Sequence, residues 1–165
     1  MFNIFKRHSG DSPLSHQVDV FSPVPGKLSP LERVPDPTFA GGHMGKGFAV
    51  LPESNEFCAP ISGEITMIAG THHAFTVRSE GGAEVLVHIG VNTVGLGGVG
   101  FSAVAELGQK VEAGDPVLRI DDTVAQRAVS MLTPVVVTSL VSYAASEPNL
   151  EAGAGEPVMV LMPSA

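Results

Sequence analysis

Residues 71–90, THHAFTVRSEGGAEVLVHIG, decide how this chain is read. Two runs rich in β-branched and aromatic residues flank a polar, glycine-containing centre, which is the pattern of a β-hairpin. An even-numbered loop centred on Glu80 and Gly81 would set His73 directly opposite His88. Opposed residues of an antiparallel pair share one face with Cβ atoms roughly 4.5–5.5 Å apart, so the two imidazoles would meet. A three-residue loop would break that register. The alternation of Glu84, Leu86 and His88 with Val85, Val87 and Ile89 puts His88 on the face of Leu86 and leaves the aliphatic face for the core. His72 and His73 are neighbours and point to opposite faces of an extended strand, so only His73 joins the pair.

Outward from the hairpin, 19 Gly and 13 Pro among 165 residues punctuate the chain about every ten residues. The segments between them are short and rich in Val, Ile and Leu, which predicts strands over 18–21, 26–30, 47–51, 56–59, 63–69, 74–79, 84–89, 116–120, 134–138 and 157–161. Residues 101–107 read as a helical turn, and 121–130 as a short helix opened by Asp121 and Asp122. Two segment pairs repeat: SPVPGKLSPL (22–31) aligns without gaps to APISGEITMI (59–68), and GDPVLRI (114–120) to GEPVMVL (155–161). The expectation is an all-β fold, an antiparallel β-sandwich or flattened barrel built from a duplicated motif, with one or two short helices.

Hydrophobic residues make up 44% and charged residues 16%, the balance of one soluble globular domain, and no apolar run approaches a membrane span. Residues 1–17 read as a flexible tail and 18–165 as the domain; MFNIFKRH lacks the apolar core and cleavage site of a secretory signal. A starting Met and a complete final strand suggest a free-standing chain. The net charge of −8 argues against nucleic acid and favours partners with basic surfaces. One cysteine, Cys58, fits a reducing, cytoplasmic setting and reads as a small buried residue rather than a nucleophile, because no base lies near it in sequence.

Two facing imidazoles beside apolar residues admit three readings. The first is a hydrogen-bonded structural pair. The second is a metal site, which the missing third ligand disfavours, since zinc takes at least three protein ligands and there is no H-x-H, H-E-x-x-H or cysteine pair. A partner could supply that ligand to His73 and His88 at an interface. The third is phosphoryl transfer: a neutral imidazole attacks phosphorus while the second imidazole donates to the phosphoryl oxygens. Thr71, two residues before His73, is placed on the same strand face to fix its tautomer. Gly95, Gly97 and Gly100 match the spacing of a dinucleotide-binding loop, but Gly108 interrupts any following helix, so a glycine-rich surface loop is expected.

The motifs THHAF and VHIG, with SPVPGKLSPLERVPDPTFAGGHMGKGFAV, APISGEI, LTPVVVTS and GEPVMVL in order around them, resemble the glucose-type enzyme IIA component of the bacterial phosphoenolpyruvate-dependent sugar phosphotransferase system. The resemblance covers nearly the whole chain and implies an antiparallel β-sandwich with a duplicated motif and no cofactor. It implies that His88 is the phosphorylated residue, His73 its supporting histidine and Thr71 the hydroxyl that orients His73. It further implies phosphate received from the phosphocarrier protein HPr and passed to a cysteine of a IIB domain, with the membrane reached only through the IIB/IIC permease partner. Phe39 and Leu86 fall among the apolar residues around the active-site depression, and Asp36 where an acid can meet an HPr arginine. Asn92 stands where relatives often carry Asp, Ala69 where some carry a bulky apolar residue, and Val99 interrupts a usual G-E-G-F. Two rival readings remain: a regulatory module that inhibits transporters or metabolic enzymes when unphosphorylated, and a zinc endopeptidase of similar β architecture.

Overall fold

The computed structural model of the protein describes residues 17–164, so the tail expected over 1–17 lies, but for Gln17, outside the described residues. In chain order the strands are β1 (Val18–Val20), β2 (Gly26–Pro30), β3 (Lys46–Pro52), β4 (Glu56–Cys58), β5 (Gly63–Ile68), β6 (Ala74–Arg78), β7 (Glu84–His88), β8 (Phe101–Ala103), β9 (Lys110–Val111), β10 (Pro116–Ile120), β11 (Thr133–Val137), β12 (Tyr143–Ala145) and β13 (Met159–Pro163). Two short helices, α1 (Pro37–Ala40) and α2 (Asp122–Arg127), and 3₁₀ turns at Leu31–Arg33 and Thr93–Leu96 complete the described elements. The expected β-sandwich is the fold observed.

One seven-stranded antiparallel sheet, ordered β2-β3-β11-β7-β6-β5-β9, spans the molecule. Its inner face carries Phe48, Val50, Phe75, Val77, Val85, Val87, Val135 and Val137, every one essentially sealed from solvent. Against it pack two three-stranded sheets, β1-β13-β12 and β4-β10-β8. Each repeated segment takes the same role in its own half. Gly26 and Gly63 open β2 and β5, while Gly114 and Gly155 turn with φ of 97° and 79° into β10 and β13, the central strands of the two small sheets. The aromatic residues that open their flanking strands, Phe101 on β8 and Tyr143 on β12, both enter the main core.

The outer face of the large sheet is covered as well. Ala49, Ala74, Leu86 and Val136, the residues that alternate with the inner set, form a second cluster with Leu31, Val34, Phe39 and Val91. The 3₁₀ turn and α1 hold that cover in place: Asp36 caps α1 by accepting from Thr38 N–H at 3.0 Å, and Pro37 at the first helical turn needs no donor. Residues 101–107, expected to be a helical turn, instead begin as β8, because Phe101 pairs with Ile120 and inserts its ring into the core. Tertiary pairing overrides the weak local pattern there. The helix expected over 121–130 forms as α2, with the Asp121 carboxylate accepting from Thr123 N–H at 2.9 Å.

Candidate active site

The β6–β7 connection is the three-residue loop that the sequence reading treated as the exception. Ser79 N–H donates to Ala83 O and Gly82 N–H to Ser79 O, so residues 80–82 form the loop, with Gly82 at φ 101°. His88 therefore pairs with Ala74 and not with His73, correcting the expected register by one residue. Continued as a strand, the chain would carry His73 to the core face of Phe75.

It does not continue as a strand. Ala69 N–H donates to Ala74 O at 2.9 Å and His72 N–H to Ala69 O at 2.8 Å, closing a tight loop over residues 70–73 between β5 and β6. His72 occupies the left-handed region at φ 60°, which reverses the chain and swings the His73 ring onto the outer face. There it meets His88 edge-on, with ring centroids 5.0 Å apart and planes at 73°. The imidazoles thus come together for a different reason than the one expected, a loop residue reaching a strand-end residue. The Thr71–His73 contact is likewise a turn contact and not a strand-face one: Thr71 Oγ1 lies 2.6 Å from His73 Nδ1.

On the other side, His88 Nδ1 is 2.9 Å from the carbonyl oxygen of Gly90. A carbonyl only accepts, so neutral His88 carries its proton on Nδ1 and leaves the Nε2 lone pair free. Gly90 was not singled out in the sequence; the signal was a glycine two residues past a strand-end histidine, in VHIG. The Phe39 ring flanks His88 at a centroid distance of 5.0 Å, and Leu86, 7% exposed, belongs to the same outer cluster as Phe39.

Burial pushes the His88 pKa below its ordinary value, opposed by the bond to Gly90 and by the Asp36 carboxylate. Burial and then the neighbouring His88 lower that of His73. Both rings are accordingly neutral near pH 7. Asn92 is exposed in a left-handed turn at φ 62°, at the start of the 3₁₀ turn beyond Gly90, and Ala69 closes the loop that carries His73. The glycine-rich stretch 95–100 forms turns and no nucleotide-binding helix follows it. Cys58 is half-buried outside the histidine cluster, beside a groove of about 560 Å³ that contains none of these residues. Among the described residues no three His, Cys, Asp or Glu side chains are grouped to hold a metal ion.

A sequence model of the phosphoenolpyruvate-dependent sugar phosphotransferase system EIIA 1 family matches residues 18–143. The chain belongs to this family. It is 39% identical to a glucose-specific EIIA component of Halalkalibacterium halodurans over 97% of this chain and 94% of that one. It is also 38% identical to a β-glucoside-specific EIIBCA component of Bacillus subtilis, over 94% of this chain but 25% of that longer protein. Among solved structures, the glucose permease IIA of Mycoplasma capricolum superposes with a TM-score of 0.82 at 33% identity, over 88% of this chain and 96% of that one. The EIIA chain is thus a phosphotransferase-system component with the β-sandwich of that neighbour. No helix among its described residues is long and apolar enough to cross a membrane.

Proposed function

We propose that this EIIA chain accepts a phosphoryl group from HPr on Nε2 of His88 and passes it to a cysteine of a IIB domain, acting in the cytoplasm beside the permease. The observation that carries this reading is the pairing of a neutral His88, its Nδ1–H committed to Gly90 and its Nε2 unprotonated, with a second imidazole 5.0 Å away. Membership of the phosphotransferase-system family, and relatives in which EIIA is joined to IIB and IIC parts, support a permease-domain acceptor.

In the accepting step the Nε2 lone pair of His88 forms a bond to phosphorus as the nitrogen–phosphorus bond of the donor phosphohistidine breaks and its electron pair stays with the donor ring. The His88 ring gains positive character, which the Gly90 carbonyl at Nδ1 and the nearby Asp36 charge favour. His73 then acts as donor: a Thr71 hydroxyl donating into Nδ1 leaves Nε2–H to hydrogen-bond the phosphoryl oxygens. Transfer to a IIB thiolate reverses the bond changes at His88. The apolar surround of Phe39 and Leu86 excludes water that would hydrolyse the intermediate. Asp36, whose carboxylate acts on His88, offers a negative charge to a basic donor face, and Asn92, exposed just beyond Gly90, offers a neutral hydrogen-bonding side chain.

Incubation with phosphoenolpyruvate, enzyme I and HPr should yield an acid-labile, base-stable phosphoprotein. A label that persists in His88→Ala would overturn the assignment. His73→Ala should still accept phosphate and lose onward transfer, and normal transfer by that variant would refute the donor role.

A further inference from the structure

Apart from the exposed and half-buried polar residues, the described chain has two fully buried polar side chains, Thr93 and Thr133, both at 0% exposure. They lie far apart in sequence, one in the 3₁₀ turn Thr93–Leu96 and one at the start of β11. Yet they grip the same peptide unit. Thr93 Oγ1 donates to the carbonyl of Ile89 at 2.6 Å, and the N–H of Gly90, the other end of that peptide, donates to Thr133 Oγ1 at 3.3 Å. The Thr133 hydroxyl proton goes to Met131 O at 2.9 Å, which leaves its oxygen to accept.

The next peptide along is held too. Val91 N–H donates to Ser130 O at 2.8 Å, and the carbonyl of that same Gly90–Val91 unit is the acceptor for His88 Nδ1. Gly90 sits at φ 72°, a conformation that would otherwise be free to relax, since glycine crosses to negative φ without steric cost.

From this arrangement we infer that Thr93 and Thr133 are positioning residues: together they brace the Ile89–Gly90 peptide so that the Gly90 carbonyl stays aimed at His88 Nδ1, keeping Nε2 as the free nucleophilic nitrogen. Apolar side chains in their place would leave the Ile89 carbonyl and the Gly90 N–H without these partners, so the two hydroxyls hold the peptide to one position. The peptide they hold ends at Gly90, two residues past the histidine, which ties them to its tautomer by the logic through which an outer partner fixes the free nitrogen of an imidazole. The consequence for phosphoryl transfer rests on the reading of His88 as the phosphorylated residue; the consequence for the tautomer does not.

The test is nitrogen NMR of the His88 ring in the full chain, unphosphorylated, near pH 7.5, for Thr93→Val, Thr133→Val and the double variant, with Thr93→Ser and Thr133→Ser as hydroxyl-retaining controls. The valine variants should move the His88 signals away from the Nδ1–H pattern of the parent and the serine variants should restore them. Phosphate acceptance from phospho-HPr should fall on the order of tenfold to a hundredfold in the valine variants and recover with serine. Folded valine variants with parental His88 ring signals would overturn the inference. So would a parent protein lacking a slowly exchanging Thr133 hydroxyl proton close to the Gly90 amide, a measurement that stands if the valine variants do not fold. A parent that shows the brace but takes no phosphate on His88 would overturn the proposed function and leave the positioning role intact.

Discussion

The His73 carbonyl accepts from the Ile89 N–H at 2.7 Å, so the backbones of the two histidine segments are joined one residue past the last strand pair, Ala74 with His88. The side chains meet because the turn at His72, just before His73, swings that ring onto the face of His88. His72 at φ 60° is therefore the residue on which the pair depends.

Replacing His72 with Val should cost about 1–2 kcal/mol, because a β-branched residue tolerates the left-handed region poorly. Replacing it with Gly should be close to neutral, relief of the strained φ being offset by added freedom of the unfolded chain. Urea unfolding of both variants measures this, and His72→Val should also lose onward phosphoryl transfer as the His73 ring leaves its position.

Thr71→Val removes the hydroxyl 2.6 Å from His73 Nδ1 while keeping the shape of the side chain. Phosphate acceptance by His88 should continue, and delivery to a IIB domain should slow by roughly tenfold, because an unoriented His73 presents its donor only part of the time. Thr71→Ser should behave as the parent does. Single-turnover rates for the two half-reactions separate these outcomes.

Phe39 packs against the His88 ring and is 5% exposed. Phe39→Ala should admit water, weaken the desolvation that is the main cause of the lowered His88 pKa, and move that pKa up toward its ordinary value. The same truncation should cost about 3–5 kcal/mol of stability, with Phe39→Leu costing less. An NMR titration of the ring protons checks the first effect and denaturant unfolding the second.

Much of this fold was legible in residue order. The Gly-to-strand repeats mark equivalent positions for two different reasons: Gly114 and Gly155 take positive φ, while at Gly26 and Gly63 a Cβ would run into Leu51 O and Arg78 O, respectively, on the adjacent strand. The strands β8, β9 and β12 leave no clear signal in residue order, and their identity comes from pairing with β10, β5 and β13. The histidine pair was read from a register that loop length decides, and SEGGA allows a two- or a three-residue loop with little local preference. Around His88, the Gly90 carbonyl and Thr93 are local partners, with VHIG as the one signal for the first, whereas the bond from Gly90 N–H to Thr133, 43 residues away, is set by the packed sheet and leaves no trace in residue order.

Acid should weaken the protein through both histidines. Their folded-state pKa values are lowered, so the unfolded chain takes up protons first as pH falls below about 6.5. The unfolded state then binds more protons than the folded one, and by linkage stability declines from that point down through the folded pKa values. Above about 6.5 neither state is charged and these groups add no pH dependence. A His73→Ala/His88→Ala double variant should show a shallower loss between pH 7 and 5 than the parent, measured as denaturant midpoints.

Gly90 and Gly97 both have positive φ, at 72° and 61°, and only their surroundings distinguish them. A Cβ on Gly97 would meet nothing within 4 Å, so Gly97→Ala should cost about 1 kcal/mol from backbone conformation alone and leave phosphate acceptance at the parental rate. A Cβ on Gly90 would come within 2.9 Å of Thr93 Cγ2 and 3.1 Å of Ser130 O. Neither neighbour can yield cheaply, since the Thr93 hydroxyl is fixed to Ile89 O and Ser130 O accepts from Val91 N–H. Crowding of that kind adds about 1–3 kcal/mol to the conformational cost, so Gly90→Ala should lose about 2–4 kcal/mol in all. The displaced carbonyl would also release His88 Nδ1, so the folded fraction of Gly90→Ala should accept phosphate more slowly than that of Gly97→Ala, an ordering that parallel unfolding curves and phosphorylation time courses can establish.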